Sequence, residues 1–246
     1  MDVIGVIPAR YASSRLEGKV LADILGKPMI QHVWERAHRA KLLDDLLVAC
    51  DDERVAEAVK RFGGKAVMTA KAHTCGTDRI AEVVYPLDVK AVVNIQADEP
   101  LLHPVMIDQL AQALLTGDSA VMATLAKRIE KESEINDPNV VKVVLDRNSQ
   151  AIYFSRAAIP HRAANSEVAS PAYYKHIGMY GYTKDFLFTY KNMPPSSLEK
   201  IEKLEQLRVL ESGYRIKVIE TRYETVSVDT AEDLERVKAA MEAAEK

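Results

Sequence analysis

Short apolar runs alternate with stretches of helical periodicity through the first half of the chain. Residues 3–8 read as a buried strand. In 28–40, apolar residues fall at Met29, Ile30, Val33, Trp34 and Ala37, a spacing that puts them on one helical face, and Pro28 suits a first turn. A second strand at 46–50 precedes a helix at 53–62 and the turn Gly63-Gly64. The pattern continues with a short strand at 66–69, a helix at 77–85, a strand at 91–96 and a helix at 106–115. Strand and helix in strict alternation predict an α/β fold: a mostly parallel, Rossmann-like sheet with helices on both faces.

The second half changes character. Residues 140–145, 151–155 and 177–182 read as strands with few helices between them, which predicts a small antiparallel subsidiary lobe. A helix at 198–211, a strand at 216–220 and a closing helix from about 231 to 244 follow. The small, polar stretch 162–171 reads as a mobile loop. Without an internal repeat or a low-complexity segment, residues 1–246 read as a single domain with a subsidiary lobe at about 147–190.

Composition narrows the function classes. A formal net charge of −3 over 246 residues gives no general attraction to nucleic acid or to an anionic membrane. Two cysteines, Cys50 and Cys75, form neither a disulfide framework nor a CxxC pair, which fits a reducing compartment. The first apolar stretch is too short for a secretion signal, and no run approaches membrane-spanning length. The expectation is a cytoplasmic protein.

Candidate chemistry begins straight after the first strand. The loop carries Arg10, Arg15 and Lys19, interleaved with small residues and hydroxyls. In open α/β sheets ligands bind where strands end. Cations there can neutralise a triphosphate while small residues let backbone N–H groups approach it. On charge pattern alone, a solvated basic loop is an equal reading. Asp98 follows the strand VVNIQ, and Asp229 follows Val226 and Val228 at a helix start. Asp229 is either a helix N-cap or a metal ligand. Asp51 and Asp52 read as caps of the helix that begins beside them. His176 and Tyr180, four apart, fit one face of a strand. Glu205 and Arg208 fit a surface i,i+3 pair.

Several motifs together carry a resemblance. IPARYASSRLEGK with LADILGKPMIQHV, then HTCGTDR, NIQADEP, YFSR with Ile159-Pro160, HIGMYGY, LEKIEKLEQLR and VDT with Asp233-Leu234 occur in order over nearly the whole chain. This set resembles the 3-deoxy-manno-octulosonate cytidylyltransferase (CMP-KDO synthetase) family. Glu17, Val20, Ala97 and Ser197 depart from its usual residues. The resemblance implies transfer of CMP from CTP to the anomeric hydroxyl of an acidic eight-carbon sugar, for lipopolysaccharide synthesis, with release of pyrophosphate. It implies catalytic roles for Arg10, Lys19, Asp98 and Asp229, with Mg²⁺ held by Asp98 and Asp229. Nucleotide contacts are implied at Pro8, Ala9, Arg10, Ser13, Arg15, Lys19, Thr74, Gly76, Thr77 and Arg79. Sugar contacts are implied at Gln96, Arg156, His176, Tyr180, Glu205 and Gln206. A homodimer formed through about 153–182 is implied as well.

Rival readings differ in substrate or in class. A sialic acid cytidylyltransferase usually has Lys-Asn at the end of the first loop, where this chain has Lys19-Val20. An 8-amino form of the sugar needs few residue changes. A non-catalytic nucleotide-binding module is a different class, against which the presence of Lys19, Asp98 and Asp229 argues. A dinucleotide-dependent dehydrogenase lacks support, because no GxGxxG follows the first strand.

Overall fold

The first apolar run forms β1 (Val3–Ala9), the strand about which the sheet is organised. The computed structural model describes residues 1–12, 16–73, 75–116, 120–163 and 172–244. β1 pairs in parallel with β4 (Asp45–Cys50) on one side and β6 (Ala91–Asn94) on the other. β5 (Lys65–Met68) extends the β4 side in parallel. Beyond β6 lies β10 (Tyr174–Thr183), the antiparallel member, followed by β7 (Met122–Arg128) and β11 (Lys217–Glu220). The order is β11-β7-β10-β6-β1-β4-β5.

Helices cover both faces. α1 (Met29–Ala37), α2 (Glu53–Arg61) and α4 (Pro104–Leu115) bury Ile30, Val33, Val55, Val59, Ile107 and Leu110 on one face. α3 (Gly76–Val84), α6 (Lys184–Lys191) and α8 (Leu207–Glu211) bury Ile80, Val84, Phe186, Leu187 and Leu207 on the other. A smaller cluster joins Ile24 of the β2 (Asp23–Ile24) and β3 (Lys27–Pro28) hairpin to Val237 and Met241 of α9 (Ala231–Ala244). Buried on both faces, β1, β4 and β6 read as continuous apolar runs rather than alternating ones.

The α/β architecture, the mostly parallel sheet and the antiparallel extension agree with the sequence pattern. β8 (Lys142–Leu145) and β9 (Ala151–Ser155) pair antiparallel, and β8 attaches to the start of β10. β10 thus pairs with β7 along one edge, and along the other it meets β8 at its start and β6 at its end. Lys142 holds the lobe together from within: its fully buried ammonium donates to the carbonyls of Asp137, Val140 and Arg156 at 2.8, 2.5 and 2.7 Å.

One expected element is broken. The helix expected over 198–211 is two helices, α7 (Ser197–Glu202) and α8. A capping box of Ser196 and Glu199 starts α7, and Lys203 ends it in the left-handed conformation, with φ 56°. The chain turns there, and Leu204 and Gln206 become buried. β7, α5 (Glu132–Asn136) and α6 are elements that the sequence pattern left unread. The expected mobile loop lies mostly outside the described residues.

Candidate active site

The strand order reverses direction around β1, so the loops leaving β1 and β6 open a crevice at their carboxyl ends. The loop after β6 presents Gln96, Ala97 and Asp98. The backbone carbonyl of Asp98 accepts a hydrogen bond from Val228 N–H at 2.9 Å, which brings the segment before α9, and with it Asp229, to the same edge. The loop after β1 is closed at its base by Gly18 N–H donating to the Tyr11 carbonyl at 3.2 Å, with Gly18 in the left-handed region at φ 64°. The chain then enters a short 3₁₀ turn, Lys19–Leu21.

Three of the expected residues meet. Lys19 Nζ donates to Asp98 Oδ2 at 2.7 Å and to Asp229 Oδ1 at 3.1 Å. Asp229 does not act as the helix cap. That task falls to Thr230, whose Oγ1 accepts from Asp233 N–H at 3.2 Å, while Asp233 Oδ2 accepts from the N–H groups of Asp229 and Thr230. The Asp229 carboxylate is therefore turned to the crevice. Beside Asp98, Glu99 is buried, and burial followed by the Asp98 charge pushes its carboxyl up to about 8.

Two adjoining chambers share this crevice. One, of about 330 Å³, is bounded by Pro8, Arg10, Lys19, Gly76, Arg79, Gln96, Asp98, Glu205 and Asp229. The N-terminus of α3 opens onto it. Gly76 lets α3 come close to β1: an added Cβ would stand 3.3 Å from Pro8 Cγ. Free N–H groups and the helix dipole at that end favour an anion. Arg79 is only 3% exposed. It donates to Asp51 Oδ2 at 2.9 Å and to Thr69 Oγ1. Asp51 also accepts from Tyr11 N–H at 3.0 Å, so the pair ties the phosphate-loop candidate to the end of β4. Of the two expected caps, only Asp52 caps α2, through Arg54 N–H at 3.0 Å.

The second chamber, of about 320 Å³, lies on the α3 side of the sheet and is lined by Gln96, Thr77, Tyr180, Glu205 and Gln206 with Asn94, Tyr182 and Tyr190. The turn at Lys203 places Glu205 and Gln206 there. The expected Glu205–Arg208 pair does not form, because Arg208 instead binds Glu199 through two hydrogen bonds, one of 2.7 Å from Nε and one of 2.5 Å from an Nη.

Arg156 and His176 are not among the lining residues of either chamber. Arg156 Nε donates to the Glu202 carbonyl at 3.0 Å, and an Nη to that of Pro138 at 2.9 Å. His176 packs edge-on against Phe154 with centroids 4.9 Å apart and lies 5.5 Å from the Tyr180 ring. Its Nε2 is 3.0 Å from Thr124 Oγ1, and burial lowers its pKa to about 3, so it is neutral. His176 and Tyr180 share a face although the register of β10 shifts between Ile177 and Tyr180. Ala9 is buried in β1. Ser13, Arg15 and Thr74 lie outside the described residues.

Sequence reasoning passed over His73 and Cys75 of the first chamber and Asn94, Tyr182 and Tyr190 of the second. All but Tyr190 lie within the quoted motifs, where they read as framework. An asparagine ending a buried apolar strand was the available signal.

The chain is similar to known proteins over nearly its whole length. A model of the cytidylyltransferase family matches residues 4–219. The 3-deoxy-manno-octulosonate cytidylyltransferase of Geotalea uraniireducens is 51% identical over 245 residues, covering 96% of this chain and 98% of that protein. That of Solibacter usitatus is 52% identical over 241 residues, covering 98% and 95%. A solved CMP:2-keto-3-deoxy-manno-octonic acid synthetase complexed with CTP superposes with a TM-score of 0.93 at 42% identity, covering 99% of this chain and 100% of that one. The 4-diphosphocytidyl-2C-methyl-D-erythritolsynthase of Anaerococcus prevotii, at 12% identity and a TM-score of 0.64, shares the fold.

Proposed function

The chain belongs to the cytidylyltransferases and, within them, to the 3-deoxy-manno-octulosonate cytidylyltransferase family, and we propose that it transfers CMP from CTP to the anomeric hydroxyl of that eight-carbon sugar acid, releasing pyrophosphate. The observation that carries the reading is the convergence of Lys19, Asp98 and Asp229 in the first chamber, which shares Gln96 and Glu205 with the second.

The division of labour follows from the lining. Arg10, Lys19 and the N–H groups at the start of α3 suit the triphosphate. The second chamber, rich in hydroxyl and carboxamide groups, suits a polyhydroxylated sugar. Gln96 and Glu205 border both chambers, so they lie where the attacking hydroxyl and the α-phosphate would meet. Holding the two reactants in line supplies much of the rate. None of this requires a histidine base.

The carboxylate pair fits Mg²⁺. Asp98 and Asp229 offer hard oxygen donors around one point, and the ammonium of Lys19 marks that point as one that accepts positive charge. Among the described residues no cluster of three or more metal-ligating side chains occurs. Mg²⁺ takes few protein ligands and completes its shell with phosphates and water. When bound, the ion would polarise the α-phosphate and lower the pKa of the sugar hydroxyl.

A homodimer and a cytoplasmic location belong to the same proposal. Ile152 of the lobe, beside the segment where the resemblance implies the interface, is 57% exposed, and light scattering on the purified chain reads the mass directly. No helix among the described residues is long and apolar enough to cross a membrane.

The deciding experiment is pyrophosphate release from CTP and Mg²⁺ with the sugar acid added or omitted. Release that depends on the sugar is expected. Its absence, or equal release from ATP, would overturn the assignment.

A further inference from the structure

Two side chains in the second chamber each leave one buried polar atom without a hydrogen-bonding partner. Asn94, the last residue of β6, is 6% exposed, and its Oδ1 is unpartnered. Gln206 is 4% exposed, and its Nε2 is unpartnered in the same chamber. Such atoms are rare in folded proteins, because an unmade buried hydrogen bond costs the full desolvation of the group.

The two orphans are of opposite kinds, one acceptor and one donor. Together they complement a hydroxyl, which donates one hydrogen bond and accepts others. Both are carried on settled parts of the fold. Asn94 pairs across the sheet with Tyr180 and Val6. Gln206 stands between the left-handed turn at Lys203 and the start of α8.

We infer that Asn94 is a specificity-determining residue of the sugar chamber: its Oδ1 accepts a hydrogen bond from a substrate hydroxyl whose oxygen in turn accepts from Gln206 Nε2. The inference rests on the proposed function, in which this chamber holds the sugar acid. The pairing selects by valence. A hydroxyl satisfies both side chains. A hydrogen in its place satisfies neither. An ammonium, having no lone pair, satisfies Asn94 alone and leaves Gln206 unmet.

The test uses the full-length enzyme with CTP and a panel of sugar acids, the parent and analogues that each lack one hydroxyl. The wild type should reject one analogue far more strongly than the others, as a site built to bond a hydroxyl does. Asn94→Ala should raise the KM for the parent sugar by about tenfold or more. It should leave the KM for CTP unchanged and lose the discrimination against that one analogue while keeping the rest. That position-specific loss is something a merely structural role would not produce. If Asn94→Ala does not fold, Asn94→Thr, a strand-compatible residue without a carboxamide, carries the same comparison. Parental sugar KM and parental discrimination in the folded variant overturn the inference and leave the proposed function standing. Equal acceptance of every analogue by the wild type also overturns it. No turnover of the parent sugar by the wild type overturns the proposed function, and the inference with it.

Discussion

Lys19 is the residue on which the site's charges balance. It stands between two carboxylates that would otherwise repel one another. Asp98→Asn and Asp229→Asn should each nearly abolish turnover with a smaller change in CTP affinity, because they remove charge needed chiefly in the transition state. The double variant should be little worse than either single one, since both serve one ion. Steady-state kinetics over a Mg²⁺ titration checks both points, and near-normal kcat in Asp229→Asn at low Mg²⁺ would remove Asp229 from the metal site. Lys19→Ala should weaken CTP binding by about tenfold or more, the worth of a charged hydrogen bond, and nucleotide titration of the variant measures it. At this scale the sequence was only partly legible. The two aspartates stood out because they follow apolar strands, but Asp229 kept two readings. The cap reading falls because Thr230 does the capping, a local contact, whereas the bond from Val228 N–H to the Asp98 carbonyl, which brings Asp229 beside Asp98, joins distant segments that no local pattern encodes.

At the scale of the element, the first half was legible because its strands and amphipathic helices are repeated and strongly patterned. The break at Lys203 was not, since 198–211 keeps helical spacing throughout and a lysine rarely signals a left-handed turn. That turn puts Glu205 and Gln206 into the sugar chamber. Lys203→Val should therefore cost about 1–2 kcal/mol in urea unfolding, as a β-branched residue is forced left-handed, and should raise the KM for the sugar more than that for CTP. β7 went unread because its small residues mark neither a helix nor a strong strand. Lys142 shows the converse case, a charged residue at a core position. Lys142→Met should destabilise the protein by about 3 kcal/mol or more, because three carbonyls lose their donor in a buried place. Denaturant unfolding reads this loss, and the lobe should lose amide protection first.

Across the whole molecule, stability should depend on acidity through His176. Unfolded, a histidine takes a proton near pH 6.5, whereas burial delays protonation of His176 in the fold to about 3. The unfolded state thus binds the extra proton throughout that window. The contribution of His176 is fully present above about pH 6.5 and drains away as pH falls toward 3, by on the order of a few kcal/mol. Urea midpoints at pH 7 and pH 5 should differ less in His176→Gln than in the wild type, and an unchanged difference would show that His176 does not govern the slope. The strand order carries a last consequence. β10 is threaded between β6 and β7, yet it comes after both in the chain. As the polypeptide leaves the ribosome, the edges of β6 and β7 that β10 will cover have no partner until residues up to Thr183 have been made. Open strand edges recruit wrong neighbours. Translation that stalls between β7 and β10 should therefore yield a nascent chain that aggregates or engages chaperones, whereas release beyond β10 lets the sheet close.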